Sequence, residues 1–196
     1  MSNTPVSHGQ LAGRHGEGIA VNGLNKGVGK VEVTLKWDPS PLGAPAHDLD
    51  IIAGVYPADD PYGQPAYLVH FDSRSPDGTI TLNRDSRTGQ GFGYDEAMTF
   101  ELDRLAPTYT RVVVGVAIQQ GGGRRTFGDI ANAGFRIREG HVDLAQEDFT
   151  PYSDATAVTV VEFSRDGTGG WEYRLVGRGF DTDPQSFTTL MGAQHA

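Results

Sequence analysis

Two stretches of the chain crowd carboxylates at spacings that suit a hard cation. Asp48-Leu49-Asp50 closes a Pro/Gly-rich loop and opens an apolar run. On an extended backbone, side chains two residues apart point the same way, so both carboxylates can face one ion. The second stretch, Asp85-Ser86-Arg87-Thr88-Gly89-Gln90-Gly91-Phe92-Gly93-Tyr94-Asp95-Glu96, carries acids at both ends. The glycines between them let the chain curl and turn carbonyl oxygens inward. Calcium takes about six to eight oxygens from carboxylates, carbonyls and water, and such a loop can offer them. The spacing is not that of an EF-hand. On the residues alone two readings stand: a cation site, or acidic turns that are merely solvated.

Other chemistry finds less support. His8, His15 and His195 lie in the terminal segments, His47 abuts Asp48, His70 precedes Asp72 by two residues, and His141 follows a Glu-Gly turn. A hydrolase needs a histidine oriented by a carboxylate and set beside a nucleophile, and no such grouping or G-x-S-x-G elbow occurs in the sequence. Gly121-Gly122-Gly123-Arg124-Arg125 can cradle a phosphate, but it lacks the Lys-Ser/Thr of a P-loop and reads as a hairpin turn with solvated arginines. Trp37 and Trp171 alternate with polar neighbours as core residues do, which favours packing over sugar stacking.

The elements that must position the acids are strands. Val31, Val33, Leu35 and Trp37 alternate with Glu32, Thr34 and Lys36, a half-buried strand. Ile51–Tyr56 and Val112–Ile118 are continuous apolar runs, and the second reads as a central strand covered on both faces. Ala66–Phe71, Met98–Leu102 and Phe135–Ile137 add short strands. Ser75-Pro76-Asp77-Gly78 is a turn tetrad. Val158–Phe163 and Trp171–Val176 form a hairpin across Ser164–Gly170. Phe127–Ala133 reads as one short turn of helix. Frequent turn signals and no long amphipathic helix predict an all-β sandwich of two mainly antiparallel sheets with about nine to ten strands. Residues 1–18 read as a flexible tail, 19–180 as one domain, and 181–196 as a C-terminal tail that holds a short helix or frays.

Composition sets outer limits. The net charge of −9 argues against a general affinity for nucleic acid, whose phosphates would be repelled. Of 25 acidic residues, 17 are Asp and 8 are Glu, and short Asp side chains suit turns and cation loops. Cysteine is absent, which fits a reducing compartment. The N-terminal stretch lacks the apolar core of a secretory signal, so a cytoplasmic location is expected.

Several motifs also follow one another in a familiar order. They are Lys36-Trp37-Asp38, Asp48-Leu49-Asp50, Ser75-Pro76-Asp77-Gly78-Thr79-Ile80, Arg84-Asp85 through Asp95-Glu96, Thr126-Phe127-Gly128-Asp129-Ile130-Ala131-Asn132-Ala133, and Glu162-Phe163 through Trp171-Glu172-Tyr173-Arg174. Over about residues 19–180 this series resembles the TerD family of bacterial tellurium-resistance and stress-response proteins. The resemblance implies a β-sandwich whose loops bind Ca2+, with no established catalytic activity. It also implies protein partners in a stress-response complex, a peripheral place at the inner membrane face, and no small-molecule substrate. By position it carries over the metal ligands Asp48, Asp50, Asp85, Ser86, Asp95 and Glu96, with carbonyls around Thr88 to Gln90. Three departures mark this chain: Arg84 replaces Gly, Ser86 replaces Asn, and Tyr94 replaces the first Asp of D-D-E. They lead to the expectation of one firm site on Asp48, Asp50, Asp85 and Asp95, and a second that is weak or empty. The expected function is thus a calcium-binding, non-enzymatic interaction module. Its rivals are a metal-assisted hydrolase and a ligand- or carbohydrate-binding sandwich with a structural calcium, for which Phe92 and Tyr94 are the residues to inspect.

Overall fold

The computed structural model describes residues 27–194. The tail read at 1–18 and the histidines His8, His15 and His195 lie outside the described residues. Ten strands form two five-stranded sheets, the two-sheet sandwich of about nine to ten strands that the sequence predicts. In chain order the strands are β1 (Lys30–Lys36), β2 (Leu49–Pro57), β3 (Tyr67–Val69), β4 (Ile80–Arg84), β5 (Glu96–Glu101), β6 (Tyr109–Ile118), β7 (Gly134–Glu139), β8 (Val142–Asp148), β9 (Ala157–Arg165) and β10 (Trp171–Phe180). One helix, α1 (Pro184–Leu190), follows them. The first sheet runs β4-β5-β1-β7-β8 and the second β10-β9-β6-β2-β3, with every pairing antiparallel.

The two sheets face each other across one apolar core. Val31, Val33 and Leu35 of β1 meet Leu49, Ile51, Ala53 and Val55 of β2, with Val112, Val114 and Val116 of β6 beside them. Trp37 and Trp171 are both buried in this core. β2 and β6 are covered on their outer faces as well, which explains their unbroken apolar runs. There Ile52, Tyr56, Val113 and Ala117 pack against Phe187 and Met191. The segment read as a C-terminal tail therefore contributes a docked helix. Asp183 caps α1 by accepting from the Ser186 N–H at 2.9 Å, and Pro184 occupies its first turn. Gly115 on β6 makes room for Phe187: a Cβ there would lie 2.5 Å from the ring.

One strand is absent from the sequence reading, and one local reading changes. Val142–Asp148 shows no apolar alternation because β8 is an edge strand, largely exposed, so burial imprints no pattern on it. The Gly121–Arg125 segment is not a hairpin turn. It lies in the connection from β6 in one sheet to β7 in the other, with a short 3-10 turn at Phe127–Asp129 on the way. Its arginines hold the loops: Arg125 Nη1 donates to the Pro45 carbonyl and Arg124 Nη2 to that of Asp154.

Candidate metal centre

Asp48 and Asp50 enter β2 from the 38–48 loop, and residues 85–95 connect β4 to β5. One residue brings the two loops together at the same end of the sandwich. The Trp37 indole N–H donates to the His47 carbonyl at 3.0 Å, holding the first loop. Gly89 of the second loop lies against the same ring, where a Cβ would be 2.5 Å from the indole nitrogen. Gly89 also takes φ +64°, a conformation glycine adopts without strain.

Asp50, Asp85 and Glu96 converge, each offering a carboxylate oxygen within 4.8 Å of the others'. Asp50 and Glu96 are buried, at 3% and 0% exposure, while Asp85 reaches in from the surface. Glu96 crosses between the sheets: its Oε2 accepts from the Ile51 N–H at 2.6 Å. That N–H lies beyond the stretch of β2 that β3 covers, so no strand partner competes for it. The other oxygen, Oε1, is buried without a hydrogen-bond partner, as is Asp48 Oδ1. Unpartnered carboxylate oxygens inside a protein are costly unless a cation or proton meets them.

The electrostatics follow from that crowding. Burial pushes the Asp50 carboxyl from 3.8 up to about 6; the Gln119 amide pulls it back, and the charges of Asp48 and Asp85 push it further. Burial raises Glu96 more, to about 10, against the pull of the Ile51 N–H and with added pressure from Asp50 and Asp85. Asp48 is raised by burial and by Asp85. A cation between these groups would reverse the trend, because it stabilises the charged forms that burial disfavours.

Of the six residues carried over from the resemblance, Asp50, Asp85 and Glu96 meet, and Asp48 stands close enough to feel Asp85. Ser86 follows Asp85 and is half-buried. Asp95 serves a different contact: its Oδ2 accepts from the Trp37 N–H at 3.0 Å and lies 3.7 Å from Lys36 Nζ. Two departures from the family pattern are also engaged elsewhere. Arg84 Nη1 donates to the Phe92 carbonyl, and the Tyr94 hydroxyl accepts from Arg136 Nη1 at 2.6 Å. Sequence reasoning missed Gln119. Its side chain donates to Asp50 Oδ2 and its backbone N–H to the Asp48 carbonyl at 2.9 Å, so it clamps both acids of the first motif. Only the β2–β6 register, with Leu49 opposite Ile118, points to it.

The TerD domain profile matches residues 14–189. The chain belongs to the TerD family. Among curated relatives, Tellurium resistance protein TerD of an Alcaligenes species is 28% identical over 171 residues, covering 84% of this chain and 88% of that protein. Stress response protein SCP2 of Bacillus subtilis (strain 168) is 26% identical over 179 residues, covering 84% of this chain and 89% of that one. The crystal structure of a homologue of telluride resistance protein (TerD) from Streptomyces coelicolor A3(2) superposes with a TM-score of 0.83. It is 56% identical and covers 85% of this chain and 99% of that one. This TerD domain is thus similar in sequence to proteins named for tellurium resistance and stress response, and in fold to a solved homologue of one of them. Among its described residues no helix is long and apolar enough to cross a membrane.

Proposed function

We propose that this TerD domain is a non-enzymatic, calcium-binding interaction module of a stress-response system. The observation that carries the reading is the convergence of Asp50, Asp85 and Glu96, two of them buried, beside orphaned oxygens of Glu96 and Asp48. All-oxygen ligands of mixed exposure suit Ca2+. Magnesium, which dehydrates reluctantly and demands octahedral geometry, should bind less well.

The non-enzymatic part rests on the histidines and their neighbours. His47 Nδ1 is buried without a partner, and burial and the nearby Arg125 charge hold its pKa down. His70 Nδ1 accepts from the Asp72 N–H. Neither has the carboxylate–imidazole–nucleophile arrangement of a hydrolase. Fully exposed Phe92 favours a second reading, a ligand-binding sandwich whose cation stiffens the loops. Tyr94 supports it less, since its hydroxyl is held by Arg136.

Titrating calcium into chelated protein by calorimetry tests the main reading. Binding should be saturable, should exceed that of magnesium, and should weaken in Asp85→Asn. Thermal unfolding gives the same answer independently: calcium at a hundred times its Kd adds ~2.7 kcal/mol. In a domain of this size that raises Tm by several degrees. A Tm unmoved by chelation would sink the cation reading. Metal-dependent turnover of an ester or phosphoester substrate, abolished in Asp85→Ala, would replace the interaction module with a hydrolase.

A further inference from the structure

A cleft of about 570 Å³ opens on the outer face of the second sheet, between α1 and the turn that follows β3. It exists because β3 ends at Val69, opposite Ala53 of β2, and the chain then turns away instead of continuing along β2 past Ile52. His70 and Ser73 exchange backbone hydrogen bonds of 3.0 Å in both directions, and the Ser73 hydroxyl donates to the Leu68 carbonyl at 2.8 Å. That wall is therefore held in place by its own hydrogen bonds. The opposite wall is α1, fixed to the sheet through buried Phe187 and capped by Asp183. Ile52 and Leu68 give the cleft an apolar floor, and the Phe71 ring, 48% exposed, stands at its side. Small-molecule sites are pre-formed hollows of this kind, roughly 300–1,000 Å³ in volume, with a few polar groups set around apolar walls.

The polar groups around that floor are mainly acceptors. Asp72 and Asp183 line the cleft, and neither forms an ion pair among the described residues. Hydrogen bonds from Ser186 hold the Asp183 carboxyl below its usual pKa, so it stays ionised. Gln119 closes one end: its amide nitrogen is committed to Asp50, which leaves the amide oxygen to accept. No lysine or arginine lines the cleft among the described residues, and Arg124 nearby is paired with Asp181 at 3.0 Å. His70 adds no charge at neutral pH, because burial lowers its pKa from 6.5, and its Nδ1 accepts from the Asp72 N–H. An anion would thus meet two carboxylates and nothing to offset them. A purely apolar ligand would strip water from them and return no hydrogen bond. We propose that this cleft binds a small organic ammonium carried on an aromatic or aliphatic body. The ammonium meets Asp72, Asp183 and the Gln119 oxygen, while the body covers Ile52 and Leu68 and lies against Phe71, whose ring also attracts a cation. The site is distinct from the acidic cluster and from the Phe92 loop, and it does not depend on the cation reading.

Calorimetry on the full chain, in chelator and at neutral pH, tests this with 2-phenylethylamine as the probe. Binding should be saturable and should weaken as salt is added. 2-Phenylethanol, which has the body without the charge, and methylammonium, which has the charge without the body, should each bind about tenfold more weakly or worse. The Asp72→Asn/Asp183→Asn variant should lose about tenfold in affinity for the amine, and Phe71→Ser about fivefold. Asparagine also caps helices, and Phe71 is half exposed, so both variants should melt near wild type. If the double variant melts low, Phe71→Ser carries the test. Absence of saturable amine binding overturns the inference. So does equal binding of the alcohol, or a variant that folds as wild type and binds the amine as tightly. Affinity that falls in Asp85→Asn and holds in the cleft variants places the amine at the acidic cluster, which overturns the inference as well. The calcium titration on the same protein is read separately, so a failure of the cation reading is distinguishable from a failure of this one.

Discussion

Replacing Asp50 by asparagine should stabilise the cation-free protein and weaken its response to calcium, two effects of opposite sign from one substitution. Asp50 is 3% exposed, and its carboxyl is raised from 3.8 to about 6. A folded-state pKa above the unfolded one means that the folded chain holds the proton more tightly. Stability therefore falls as pH rises from about 4 and levels off above about 7, once Asp50 is ionised in both states. At ~1.36 kcal/mol per pKa unit, the full cost of ionising it in the fold is about 3 kcal/mol. Asparagine removes that cost and still offers an oxygen to the Gln119 amide that now donates to Asp50. In chelator at about pH 8 the variant should melt ~6–12 °C above wild type, at ~2–4 °C per kcal/mol. Near pH 4 the gap should nearly close. With calcium the order should narrow or reverse, because asparagine is a weaker ligand than a carboxylate. The assay is thermal unfolding by circular dichroism across pH, with and without calcium. A variant that melts below wild type in chelator at about pH 8, or one whose calcium-induced rise is unchanged, refutes the reasoning.

Glu96, with its pKa near 10 in the cation-free protein, is protonated at neutral pH, so calcium binding should expel a proton. The calorimetric enthalpy at about pH 7 should then vary with the buffer's ionisation enthalpy, and apparent affinity should rise with pH. Gly89→Ala forces a Cβ to within 2.5 Å of the Trp37 indole at a positive φ, so chemical denaturation should show a loss above ~1 kcal/mol and weaker calcium binding. Arg111 is 6% exposed and holds Glu162 Oε2 through Nε at 2.9 Å and Nη2 at 2.6 Å, with Pro61 and Gly192 carbonyls on Nη1. Arg111→Ala leaves Glu162 short of its main partner and should cost ~3–5 kcal/mol in denaturant unfolding. Arg174, whose side chain is 69% exposed, meets the same glutamate, and Arg174→Ala should cost less than ~1 kcal/mol.

The β2 and β6 runs, the alternation in β1, the turn chemistry before β10 and both acidic motifs can be read from the chain. Each depends on neighbours in sequence: period two places Val31, Val33, Leu35 and Trp37 on one face whatever the rest of the protein does. The identity of the converging carboxylates is different in kind. Asp95 and Glu96 are adjacent and equally acidic, and alternation along a strand sends them to opposite sides. Nothing local says which side faces β2. That follows from β5 pairing with β1, which hands Asp95 to the Trp37 N–H and sends Glu96 across to Ile51. Gln119 joins Asp48 and Asp50 only through the register of β6 on β2, across about seventy residues of chain. β8 left no trace because an exposed edge strand buries too little to impose an apolar pattern, and only its pairing with β7 makes it a strand. Residue types and spacing alone determine that this TerD chain is a sandwich with acidic loops. Which acids meet is decided by the packing of one sheet on the other, because only that packing brings residues distant in sequence within reach of a single ion.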